Sequence, residues 1–87
     1  MIPPEVQAEI LVGADAEEFV KSELGQKLIE MARMEVDAAA LDMKEVDLKD
    51  EKKLREIQNR IWRATQFEGW LQEIIFRGRE ALETNKE

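Results

Sequence analysis

The 87-residue chain has no cysteine, no histidine and no tyrosine. Without cysteine it can build neither a disulfide framework nor a thiolate metal site. Without histidine it lacks the commonest general base and metal ligand, and no Ser-His or Cys-His pair can be assembled. Hydroxyls are limited to Ser22, Thr65 and Thr84. The N-terminal stretch MIPPEVQAEILVG has no basic region, and Glu5, Gln7 and Glu9 interrupt its apolar residues, so it does not read as a secretory signal. No apolar run is long enough to span a bilayer. These absences lead us to expect a cytoplasmic protein that is not an enzyme and holds no cofactor or metal.

What remains is small, acidic and rich in helix formers. A chain of this length is expected to form a single helical domain over residues 1–87, burying about 60–65% of the surface its unfolded form exposes. With so modest a core and no cross-links, well-packed helices or assembly must supply stability. The net charge of −7 is unevenly spread: residues 1–50 hold 13 acidic and 5 basic side chains, and residues 51–87 hold 7 and 8. A field of that sign repels nucleic-acid phosphates and anionic membranes, so neither is expected as a partner, whereas a basic protein surface is compatible.

The stretch Leu54 to Leu82 organises the chain. Leu54, Ile57, Ile61, Ala64, Leu71, Ile75 and Leu82 recur on steps of three, four or seven residues, the stripe of a helix that buries one face, with Glu68 as the poor fit. A second seam, Gly25, Ile29, Ala32, Val36, Ala39 and Met43, keeps the same rhythm with smaller side chains, and Trp62, Phe67 and Trp70 offer bulk to fill it. Leu24, Leu28 and Met31 widen that face beyond a single row. The segment KEVDLK breaks the rhythm and reads as a turn, with Asp47 or Asp50 as the next N-cap. The fold class expected is all-α: an antiparallel helical hairpin of two long helices, about 16–43 and 50–83, with a short N-terminal helix over about 4–12. Gly13 is read as the stop of the short helix, and Asp15 with Glu18 as a capping box that opens the next. Oligomerisation is expected to complete the structure.

Candidate sites narrow quickly. The carboxylates Glu30, Glu35, Asp37 and Asp42 lack the histidines that a paired-metal bundle uses and read as solvated helix charge, with Glu35 placed to pair with Arg60 or Arg63. The acidic turn EVDLKDE lacks the spacing and glycine of a calcium loop. The basic residues from Lys52 to Arg79 scatter around the helix axis among acids, unlike a nucleic-acid-binding helix. Trp62, Gly69 and Phe76 are different. They are spaced by seven and lie about 100° or more from the Leu54 to Leu82 stripe, so one helix contact cannot bury both sets. Either the N-terminal helix or a broader groove covers Trp62 or Phe76 or, with Arg63, Arg77 and Arg79, they form a partner or oligomer interface.

Residues 42–82, with VDLKDEKKLREIQNRIWRA followed by WLQEIIFRGREAL, resemble the small all-helical accessory and assembly proteins of tailed bacteriophages and prophages. That resemblance implies a non-enzymatic accessory or assembly role in a multimeric particle, or a small host-directed factor, in the host cytoplasm, and carries over no functional residue. The expected function is a structural or interaction module that associates with itself or docks another protein through helix faces. The alternative is an acidic inhibitor or nucleic-acid mimic that occupies a basic site on a host protein through Glu30, Asp37 and Asp42.

Overall fold

The computed structural model describes residues 2–85. Among them helix accounts for 89% and no strand occurs. The elements are α1 (Pro4–Lys21), α2 (Glu23–Glu45) and α3 (Glu51–Thr84). None of these helices is long and apolar enough to cross a membrane.

Helix α1 opens on Pro4, whose missing N–H and fixed φ suit a first turn, and the Pro3 carbonyl accepts from the N–H groups of Val6 and Gln7, both at 3.0 Å. It then runs straight through Gly13, where a stop is expected from the sequence, and through Asp15 and Glu18, which therefore cap nothing. The break comes at Ser22, in an extended conformation with φ −73° and ψ 159°. Ser22 serves both helices. Its Oγ donates to the Phe19 carbonyl at 2.6 Å and accepts the Gly25 N–H at 2.9 Å, while its carbonyl accepts the Gln26 N–H at 2.9 Å. It is thus the N-cap of α2, satisfying an N–H that the first turn leaves without a helical partner.

The turn into α3 follows the acids of the sequence. Asp47 Oδ1 accepts the Lys49 N–H at 2.9 Å and the Asp47 carbonyl accepts the Asp50 N–H at 2.9 Å, a local turn of the kind Asp side chains stabilise. Asp50 is the N-cap: its Oδ1 takes the Lys53 N–H at 3.1 Å and its carbonyl the Leu54 N–H at 3.0 Å. At the far end Asn85 closes the helix by donating its backbone and side-chain N–H groups to the Ala81 carbonyl, at 3.2 and 2.8 Å.

The chain divides into two compact units, one comprising Met1–Gln26 with Gly69–Glu87 and the other Lys27–Glu68. In the first, α1 meets the C-terminal part of α3 where Gly13 and Gly78 are both buried, with Ala16 and Ala81 also buried. Gly78 therefore marks a close backbone approach and not a helix end. Glu17 is ion-paired with Arg79. In the second unit Ile57 is the one large apolar side chain that is buried, at 2% exposure, and Ala39 is fully covered. Leu54, Ile61 and Ala64 of the stripe and Ala32, Val36 and Met43 of the seam are half-buried.

Three expectations about bulk do not hold. Trp62 does not fill the alanine seam: it is 59% exposed, and Trp70, in the first unit, is 57% exposed, because each projects far round α3 from the stripe that begins at Leu54. Leu82, placed on that stripe by its spacing, is also exposed. It lies in the final turn of α3.

Candidate functional site

The second unit carries an ion-pair arrangement centred on two arginines. Arg60 Nε donates to Glu35 Oε1 at 2.8 Å and its Nη1 to Asp42 Oδ2 at 2.7 Å, so one guanidinium holds two carboxylates of α2. Arg33 grips Glu68 with a two-pronged contact, Nε to Oε1 at 2.8 Å and Nη2 to Oε2 at 2.9 Å. This explains Glu68 as an interruption of the apolar stripe: its side chain is 23% exposed and fully paired at that position. The hydrogen bonds from Arg33 hold the Glu68 carboxyl below the ordinary carboxylate range against the opposing effect of its partial burial. Among the described residues no three acids gather in the manner of a metal site.

The residues singled out from the sequence fall into two groups, one in each unit. In the second unit Trp62 and Arg63 are exposed and line a shallow depression with Glu56, Asn59 and Arg60. Arg63 has no ion pair among the described residues. In the first unit Gly69, Phe76, Arg77 and Arg79 are exposed, with Phe76 at 64%. Nothing lies within 4 Å of where a Gly69 side chain would begin. Phe76 and Arg77 line a depression with Val6, Glu9 and Glu80. Arg77 and Arg79 are engaged within their own unit, Arg77 with Glu73 at 2.7 Å and Arg79 with Glu17. α1 therefore leaves Phe76 largely exposed.

Sequence reasoning missed an apolar row on α2. Met31, Met34, Ala38 and Leu41 step by three, four and three, all four are exposed, and at about 100° per residue they share one face. The signal was present in the spacing, but the neighbouring alanine seam absorbed it. Among the described residues eleven large apolar side chains are at least half exposed.

No family model, curated protein or solved structure matches the chain. Its functional reading rests on its own surface.

Proposed function

We propose that this protein is a non-enzymatic interaction module that associates through apolar helix faces its own fold leaves uncovered. The observation that carries this reading is the imbalance in burial among the described residues: one large apolar side chain, Ile57, is buried, while Trp62, Trp70, Phe76 and eight others stand at least half exposed. Soluble chains scatter single apolar residues on their surfaces, but tryptophan and arginine together are the composition of interface hot spots. The primary interface residues are Trp62 and Arg63 in one unit and Gly69, Phe76, Arg77 and Arg79 in the other, and the primary partner is a second copy of the chain.

Within the second unit, α2 and α3 pair as an antiparallel hairpin in this reading. The short Asp47–Asp50 turn supports it, as do the ion pairs, in which Arg33 takes the later Glu68 and Asp42 the earlier Arg60. Assembly roles of the kind implied by the phage resemblance are compatible with such a module.

Sedimentation of the full chain tests the reading. A native mass above 10.1 kDa is expected, with blue-shifted tryptophan emission. Trp62→Ala should lower that mass and redden the emission of Trp70. A monomer at micromolar concentration, unchanged by Trp62→Ala, would sink it.

A further inference from the structure

The exposed row on α2 differs from the tryptophan-bearing face of α3 in chemistry. Met31, Met34 and Leu41 are 54%, 59% and 61% exposed, and Ala38 between them leaves a shallow place in the row. From Met31 to Leu41 the row is about 15 Å long, close to three helical turns. Lys27 and Glu45 occupy the same register at its two ends, so it is bounded.

Acids flank it on both sides. Glu35 and Asp42 lie along one border and are tied to Arg60. Glu30 and Asp37 lie along the other, exposed and without an ion pair among the described residues. An apolar row with acidic borders is complementary to a helix that presents leucine-like side chains on one face and lysine or arginine beside them. Methionines suit such a surface because their unbranched, polarisable side chains repack around different apolar anchors.

We propose that this α2 face docks a basic amphipathic helix of another protein. The proposal rests on the reading of the chain as an interaction module and assigns that module a second, heterologous partner. A second copy fits this face poorly. Its own α2 would set Glu30 and Asp37 against their like, α1 carries Glu5, Glu9, Asp15, Glu17 and Glu18 against Lys21, and the arginines of α3 alternate with glutamates. Phosphate mimicry would use the acids alone, whereas here the apolar row runs between them.

The test is fluorescence anisotropy with the full chain and a labelled synthetic peptide of about five helical turns, leucine on one face and lysine and arginine elsewhere. A matched peptide with glutamate in the basic positions is the control. Binding of the basic peptide alone is expected, weakening with salt. Met34→Asp and Leu41→Asp should each weaken it about tenfold or more, the scale of a hot-spot loss. Glu30→Lys combined with Asp37→Lys should weaken it to a similar degree and flatten the salt dependence, and Gln58→Ala on α3 should leave it unchanged. Far-UV circular dichroism confirms that the exposed-site variants keep their helix content. Equal binding of the acidic peptide, or indifference to all four row and border substitutions, overturns the proposal. So does a fall in native mass in Met34→Asp, which would assign the row to a second copy. A chain that sediments as a monomer and still binds the peptide defeats self-association while sustaining this inference. An assembled chain that ignores the peptide does the reverse.

Discussion

Gly13 and Gly78 meet backbone to backbone. A Cβ placed on Gly13 would lie 2.8 Å from the Gly78 Cα and 3.2 Å from the Ile74 carbonyl oxygen, and one placed on Gly78 would lie 2.8 Å from the Gly13 Cα and 3.0 Å from the Glu9 carbonyl oxygen. Neither residue has a positive φ, so neither is there for backbone freedom. Each is there because the opposite helix occupies the space of a side chain, and the obstructing atoms are backbone, which cannot rotate away.

Alanine at either position should therefore destabilise the fold although it favours helix. The propensity gain is about 1 kcal/mol, and overpacking costs about 1–3 kcal/mol. We expect Gly13→Ala and Gly78→Ala each to lower the thermal midpoint. The double variant should lose less than the two losses added, since one displacement of the helices makes room for both methyls. Calorimetry of the three variants checks this, and a raised midpoint in either single variant contradicts the close approach.

Gly25 presents the same inversion for a different reason. A Cβ there would run into the Phe19 carbonyl, the group that accepts from both the N–H and the hydroxyl of Ser22. Gly25→Ala should push α2 away from the end of α1 and cost stability. Ser22→Ala, which removes the acceptor for the Gly25 N–H, should cost about 1 kcal/mol as an ordinary N-cap loss. Denaturant titration of both variants decides the matter: wild-type stability in Ser22→Ala would show that the break does not depend on its cap.

These glycines also explain where the sequence misled. Helix type and the extent of α3 were legible because a helical period of three-, four- and seven-residue steps persists through Ile57, Ile61, Ala64, Leu71 and Ile75. A cap at Asp47 or Asp50 and a pairing of Glu35 with Arg60 or Arg63 were legible as alternatives, from short polar side chains and opposite charge, and the structure takes Asp50 and Arg60. The end of α1 was not. Gly13 looks like a helix stop, but glycine is used equally to let another helix approach, and that helix lies more than sixty residues further along the chain, beyond the reach of any local signal. The real break rests on Ser22 and Gly25 three residues apart, a cap whose N3 position lacks the glutamate or glutamine of a capping box.

Acid should act on the second unit through Glu68. Its folded pKa is lowered by the hydrogen bonds from Arg33, so on acidification the unfolded chain takes up the proton first, near its ordinary 4.5. The stabilisation is full above that value and is lost as pH falls through the lower folded value. Wild type should lose thermal stability between neutral pH and pH of about 3 by more than Glu68→Gln does, because the amide no longer titrates. Parallel losses in the two proteins would show that the Arg33 contact contributes nothing to folding in solution. High salt should shrink the difference, since Arg33 is largely exposed.

Gly69 separates folding from association. It lies within α3 with open space around it, so Gly69→Ala should stabilise the isolated chain by about 0.5–1 kcal/mol, the ordinary gain for relieving a helix of glycine. If Gly69 lies in the contact between copies, the added methyl enters a space that a neighbouring helix occupies only in the assembly. The thermal midpoint, measured under dissociating dilution, should then rise while the native mass at higher concentration falls. Gly13→Ala and Gly78→Ala cannot give that combination, because their obstruction is within one chain. A midpoint that rises with the native mass unchanged would remove Gly69 from the interface and leave association to the exposed side chains of Trp62 and Phe76.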